Sequence, residues 1–217
     1  ACVAVQKGLE KAAAYDEPIL RNILAKNAGL KMLPDLITVD NYGMAVRPQD
    51  YNLKHSADSL LKALKTDGRY DEMMKRWFPD KGKPAPMPEM KWEGKNGVLK
   101  FGTSAVTEPF SFFDDKQQIV GFDIEFVSLL AQSLGMELEV QNMDFGALIS
   151  SLLSNKSDII GACMTITKER AKSVLFTEPY YKGGIAAVVK DYSVKEESNL
   201  MSDINDLHNK RIGVLLG

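Results

Sequence analysis

Residues 158–170 read Asp-Ile-Ile-Gly-Ala-Cys-Met-Thr-Ile-Thr-Lys-Glu-Arg, and the second half of this stretch gathers groups that suit a small anion. The Thr165 and Thr167 hydroxyls and the Arg170 guanidinium all donate hydrogen bonds, and a guanidinium meets a carboxylate in a bidentate fork that a lysine cannot make. The first half, introduced by Ser157 and Asp158, is apolar, as in a strand buried on both faces. The change of character at Thr167 predicts a helix that starts there with Thr167 as N-cap. Strand-to-helix junctions of this kind are where ligands sit in open α/β sheets, because unpaired backbone N–H groups there favour negative charge.

Little else in the chain offers chemistry. The two histidines, His55 and His208, lie far apart in polar surroundings and read as solvated surface residues. The two cysteines, Cys2 and Cys163, make neither a disulfide framework nor a metal site, and Cys163 in its apolar run reads as a small buried hydrophobe. No nucleophile–base pair, metal cluster or paired catalytic carboxylate emerges, so neither a cofactor nor an enzymatic activity is expected. Lys plus Arg number 27 against 29 Asp plus Glu, which gives no basic excess for nucleic acid or a membrane surface. With 45% hydrophobic residues in 217, the chain has the material for one large domain or two small lobes. No apolar run approaches the roughly 20 residues of a membrane helix, and Ala1 opens a segment without the charged and apolar regions of a signal peptide.

The elements that must position the anion-binding groups follow from periodicity and punctuation. Ala1–Gly8 reads as the end of a helix and Ala12–Tyr15 as a short buried strand. Asp16-Glu17-Pro18 then opens a helix to about Asn27, with Asp16 as N-cap. Lys31–Leu33 and Thr38–Val46 are strand candidates, and Ser56–Lys65 and Tyr70–Phe78 are amphipathic helices. Residues 79–96 hold four prolines among lysines and glycines, a linker composition. Beyond it the pattern alternates: strand 98–102, helix 121–134 with Asp123 as a plausible N-cap, strand 136–140, helix 145–153, strand 158–164 and a short helix 167–171. Such alternation predicts a parallel sheet with crossover helices. A strand at 183–189, a helix at 202–208 and a strand at 210–216 close the sequence.

Taken together, these segments resemble the solute-binding proteins of polar amino-acid ABC importers, which have the type II periplasmic-binding-protein fold. The residues that carry the resemblance are Gly102-Thr103 through Glu108-Pro109-Phe110-Ser111-Phe112, Val120-Gly121-Phe122-Asp123-Ile124, Met143-Asp144-Phe145, Met164 through Arg170, Phe176-Thr177-Glu178-Pro179-Tyr180-Tyr181 and Lys210 through Val214. Before the linker stand Tyr15-Asp16-Glu17-Pro18, Asp40 through Ala45, and Asp67 through Phe78. The resemblance implies an α/β, two-lobed fold with parallel-dominated sheets. The large lobe is expected at 41–181, interrupted by the linker 79–96, and an incomplete small lobe at 1–40 plus 182–217. The two halves stand in swapped order relative to the family, as expected of a tandem-domain fragment or of a circular permutant. The fragment is favoured because a permutant should not lack a strand, and domain exchange within a homodimer is a further expectation.

What the resemblance implies for the site can be stated residue by residue. Arg170 grips a ligand α-carboxylate, Thr165 adds a hydroxyl or N–H, and the backbone around Cys163 accepts from the ammonium. Asp16 pairs with the ammonium from the small lobe, and Phe145 forms an aromatic wall. Plainer readings stay open: a solvent-facing arginine, a simple N-cap at Asp16, a core phenylalanine at Phe145. Ser104 and Thr107 occupy positions where relatives place an acid and an aromatic, which makes a small polar or acidic amino acid easier to accommodate than a basic one. The implied function is extracytoplasmic, periplasmic or cell-surface binding of a polar amino acid by hinge closure, for delivery to an ABC transporter permease. Alternatives are the sensing module of a receptor kinase or, through an acid such as Glu108, an enzyme on the same scaffold.

Overall fold

The computed structural model describes residues 1–79, 84–192, 203–210 and 212–213. In chain order its first elements are α1 (Cys2–Gln6), β1 (Ala12–Asp16), α2 (Glu17–Lys26), β2 (Leu30–Met32), β3 (Asp40–Tyr42), β4 (Ala45–Val46), α3 (Tyr51–Asp67) and α4 (Arg69–Trp77). After the linker come β5 (Val98–Thr103), β6 (Val106–Thr107), β7 (Ser111–Phe113), β8 (Ile119–Val120), α5 (Phe122–Ser133), β9 (Glu137–Asn142) and α6 (Leu148–Leu153). The last are β10 (Ile159–Ile160), β11 (Leu175–Phe176), β12 (Tyr181–Gly183), β13 (Ile185–Lys190) and β14 (Ile212–Gly213). Among the described residues no helix is long and apolar enough to cross a membrane.

Three expectations are corrected. The strand expected over 158–164 is β10 alone, because the chain leaves the sheet and turns at Cys163, whose φ is +55°. The helix expected from Thr167 is a single 3-10 turn, Arg170–Lys172. Asp123 is not the N-cap of α5: Gly121 is, and Asp123 lies within the first turn with its side chain turned inward. Of the strand expected at 210–216 only Ile212–Gly213 is observed, Arg211 and residues 214–217 lying outside the described residues. So do residues 80–83 of the linker and Ser202 of the expected helix, whose described part is a 3-10 turn, Ile204–Leu207.

The chain divides into two compact units. One holds Ala1–Asp40 and the described residues from Lys182 on, the other Asn41–Pro79 and Pro84–Tyr181, so the chain passes between them inside β3 and inside β12. The first unit is built on a mixed sheet of order β14-β1-β13-β2, with β1 parallel to β14 and antiparallel to β13. Because successive side chains on a strand point to opposite faces, this sheet feeds two cores. Ala13, Ala186 and Val188 face Val5 of α1 and Leu20 of α2, with Cys2 half-buried beside them, while Ala12, Ala187 and Val189 pack with Leu33. Burial raises the Cys2 thiol above its usual pKa.

At the near end of β13, Gly184 has φ +155°, and a Cβ there would stand 1.9 Å from the Thr38 carbonyl oxygen. The same contact region carries the Ile37 N–H to Ile185 carbonyl bond at 2.7 Å and the Ile185 N–H to Thr38 hydroxyl bond at 2.9 Å. No side chain fits between two backbones held this way, and glycine supplies both the space and the dihedral.

The second unit is built on a five-stranded sheet of order β11-β4-β10-β5-β9. Its parallel pairs are β5 with β9 and with β10, as the alternation of strands and helices leads one to expect. The antiparallel intruder is β4, a strand from before the linker that pairs with β10 on one side and β11 on the other. Arg47, directly after β4, fastens it: the guanidinium donates to the Ser157 carbonyl at 2.7 Å and to Asp158 at 3.1 Å, while Asp158 also accepts the Lys100 N–H at 3.0 Å.

The helices before the linker are fastened too. Glu125 of α5 is 4% exposed, and its two oxygens accept the Trp77 indole N–H at 2.5 Å and the Arg76 guanidinium at 2.7 Å. Burial nevertheless holds the Glu125 carboxyl above its usual range, the two partners only partly offsetting it. Around this pair Tyr42 and Phe78 meet Phe110, Phe122, Tyr180 and Tyr181, with ring centroids 5.1–6.3 Å apart, so aromatic packing crosses the linker as well.

Two substitutions test these fastenings. Trp77→Phe removes the indole N–H together with the five-membered ring; the buried carboxylate oxygen that loses its partner costs about 1–3 kcal/mol and the void left behind adds to it, read as a lower midpoint in urea unfolding. Gly184→Ala is expected to destabilise by more than the ~1 kcal/mol of left-handed strain alone, since the Thr38–Val39 backbone must move as well. An unchanged midpoint would show that this approach is looser than drawn.

Candidate functional site

The groups singled out by the sequence converge in the second unit where β10 gives way to a loop. Cys163 sits in the left-handed region, a conformation that costs a non-glycine residue about 1–2 kcal/mol and persists only where neighbours over-determine it. They do so here. The Cys163 N–H donates to Asp123 Oδ2 at 3.4 Å, and the Met164 carbonyl accepts the Gly43 N–H at 3.0 Å. Thr165 forms an isolated antiparallel bridge with Tyr42, and the Ile166 N–H donates to the Asn41 carbonyl at 2.8 Å. The loop is therefore held by α5 on one side and by the β3 segment on the other.

Arg170 completes the loop from downstream. Its backbone N–H donates to the Thr167 hydroxyl at 3.2 Å, although the N-cap position of the 3-10 turn is held by Glu169 and not by Thr167 as expected. One guanidinium nitrogen donates to the Thr165 carbonyl at 3.0 Å, and the guanidinium carbon lies 5.2 Å from the centre of the Phe145 ring. A cation over an aromatic face contributes about 0.5–1 kcal/mol where solvent reaches it, comparable to one neutral hydrogen bond, so both contacts orient the side chain. Phe145 itself is half-buried and packs against the cluster of Leu148, Leu152, Ile160, Ala162 and Met164. Thr165, Arg170, Phe145 and the Cys163 backbone are thus one neighbourhood, whose cationic fork is held in place by its own loop.

The other candidates stand differently. Ser104 and Thr107 are 4% and 6% exposed, and the Thr107 hydroxyl is engaged within its own loop, 3.1 Å from the Ser104 carbonyl and 3.4 Å from that of Ser111. Asp16 lies in the first unit, at the corner where β1 meets α2; it holds the N-cap position of α2 without a side-chain capping bond. Among the described residues no cluster of His, Cys, Asp or Glu is placed to hold a metal ion.

The residue that periodicity missed is Asp123. It is wholly shielded from solvent, and burial pushes its carboxyl up to about 7, the Tyr180 hydroxyl and the Cys163 N–H pulling the other way. Burial and the Asp123 charge in turn raise the Tyr180 phenol well above its usual value. An acid at the second position of a largely apolar helix carried a signal, but in sequence it is indistinguishable from a capping residue.

A left-handed turn after a parallel strand, an arginine tied to that turn and an aromatic ring beside it thus share one neighbourhood. Residues 99–211 match the model of the bacterial extracellular solute-binding proteins, family 3, and the chain belongs to that family. Among curated relatives it is 41% identical over 124 residues to the arginine-binding extracellular protein ArtP of Bacillus subtilis, a match covering 57% of this chain and 46% of the relative. It is 34% identical over 123 residues to the L-cystine-binding protein TcyJ of Escherichia coli, covering 57% and 45%. It is 38% identical over 121 residues to a probable histidine-binding protein of Campylobacter jejuni, covering 55% and 44%. The chain spans about half the length of the curated relatives it matches. Among solved structures, the arginine-bound form of domain 1 from TmArgBP is 39% identical, with a TM-score of 0.40 over 45% of this chain and 82% of that one.

The buried acid predicts a pH dependence of stability whose sign is fixed. Unfolded, Asp123 ionises near its ordinary 3.8; folded, it ionises near 7. The folded state therefore binds the proton more tightly, and the stability this contributes is whole below the unfolded value and lost as pH rises through about 7. The melting temperature of the wild type relative to Asp123→Asn is expected to fall between pH 4 and pH 8, whereas a constant difference would place the acid in contact with water.

Proposed function

We propose that this chain is the ligand-binding part of an extracytoplasmic receptor that takes up a polar amino acid and delivers it to the permease of an ABC importer, in the periplasm or at the cell surface. The observation that carries the reading is the seating of Arg170: its guanidinium is anchored by the Thr165 carbonyl and lies over Phe145. These contacts fix the orientation of the guanidinium before any ligand arrives, so less side-chain entropy remains to be lost on binding. In this reading Thr165 and the Cys163 backbone complete the contacts to the amino-acid head group, Phe145 lines the side chain, and Asp16 is assigned to the ammonium.

The ligand class rests on two supports that pull apart. The relatives named for arginine, cystine and histidine argue for a polar amino acid with a nitrogen-bearing or sulfur-bearing side chain. Ser104 and Thr107 bring hydroxyls rather than an acid and an aromatic, which favours smaller polar or acidic side chains. Family membership supports a binding role without turnover, and no residue of the site is assigned a catalytic part.

The test is thermal stabilisation of the chain by each amino acid in turn, with L-arginine first. A ligand at a hundred times its Kd adds about 2.7 kcal/mol to stability. Arg170→Ala is expected to abolish the shift and Arg170→Lys to leave a small part of it. Full stabilisation of Arg170→Ala by the same amino acid would remove Arg170 from the site.

A further inference from the structure

Asp123 is too deep to touch a solute, yet it touches the residue on which the site turns. We propose that Asp123 is a positioning residue for the ligand-carboxylate loop: from the first turn of α5 its side chain holds the Cys163 amide, and through it the left-handed turn that presents Thr165 and Arg170. The proposal rests on the reading of Thr165 and Arg170 as the carboxylate clamp.

Three observations support it. The donor is the backbone N–H of a residue at φ +55°, so the bond acts on the one backbone conformation in the loop that needs enforcing. The acceptor stands on a rigid base, since α5 is a twelve-residue helix with Phe122, Ile124, Phe126, Val127, Leu130 and Ala131 buried. The start of that helix is fixed in turn, because the Asp123 N–H donates to the Phe110 carbonyl at 2.9 Å and a Cβ on Gly121 would meet the Phe110 carbonyl oxygen at 2.1 Å. The tethers from Gly43, Tyr42 and Asn41 act at residue 164 or later. Asp123 acts upstream of them, at Cys163 itself, with the Tyr180 hydroxyl beside it at the same backbone.

An ionised carboxylate accepts an amide hydrogen bond more strongly than a neutral carboxyl group. The groups facing Asp123 are the Tyr180 hydroxyl and the Cys163 segment, and its carboxyl ionises at about 7. Ionisation therefore tightens the turn as pH rises through neutrality, and ligand affinity rises with it. L-arginine is a suitable probe, because its carboxylate and guanidinium keep their charges over that range.

The experiment uses the 217-residue chain and its Asp123→Asn and Asp123→Ala variants. In the ligand-free wild type, the Cys163 amide resonance in nitrogen-15 spectra is expected to titrate with a midpoint near 7. In Asp123→Asn it is expected not to move over the same range. By calorimetry, Asp123→Ala is expected to bind L-arginine about tenfold more weakly at pH 8, while Asp123→Asn keeps most of the affinity and loses its pH dependence. A Cys163 amide indifferent to pH in the wild type overturns the proposal, as does wild-type affinity in Asp123→Ala. Should the wild type bind no L-arginine, the probe or the functional reading fails, and the amide titration still decides whether Asp123 holds the turn. If Asp123→Ala does not fold, Asp123→Asn decides through the same titration and the pH dependence of binding.

Discussion

The second unit depends on one act of backbone pairing, the insertion of β4 between β10 and β11. Two residues, Ala45 and Val46, close hydrogen bonds on both of their edges with strands more than a hundred positions downstream. Without them β10 and β11 would each present an unpaired edge in the middle of a buried sheet, which protein interiors do not tolerate. The polar fastenings reinforce this choice of register. Arg47 reaches Ser157 and Asp158, and Arg76 and Trp77 reach Glu125. The candidate site inherits its rigidity from the same pairing, since residues 41–43, which carry the chain into β4, are also those that tie down 164–166.

Much of this was legible in the sequence where a local rule and the tertiary outcome agree. The long helices declared themselves through their apolar stripes, Gly68 ended α3 in the left-handed conformation its residue type permits, and β5 and β9 paired in parallel as alternation requires. The motif from Thr165 to Arg170 was legible because threonine and arginine beside an apolar run form an unusual combination. What escaped was decided by distant partners. The run from 158 to 164 has the composition of a strand throughout, but pairing ends at Ile160 because Asp123 and the β3 segment compete for the backbone beyond it. Thr167 looks like the cap of a helix, but only the 3-10 turn Arg170–Lys172 follows, with Glu169 at its N-cap position and the Thr167 hydroxyl accepting from the Arg170 N–H. The small sheet of β6, β7 and β8 escaped because strands of two or three residues leave no periodicity to detect.

The site shows how positive charge is kept useful without being buried. Arg170 is neither deeply enclosed, which would demand a permanent counter-charge, nor loose, which would cost entropy on binding. The Thr165 carbonyl and the Phe145 face are among the contacts that orient it. The acid of the neighbourhood stands behind the loop on α5, attached to a backbone amide.

The two cysteines gain meaning from where they are packed. Family members work outside the cytoplasm, where thiols meet oxidants and disulfide exchange. Oxidation requires the thiolate, and burial against the α1 core raises the Cys2 pKa, so little thiolate forms at neutral pH. Cys163, 5% exposed, escapes by enclosure instead. Each thiol is thus shielded by the packing around it, and the folded chain can carry two cysteines outside any disulfide in an oxidising medium as chemically quiet side chains. Unfolding would expose both at once, so that the first covalent damage to a misfolded copy is expected at these two sulfurs.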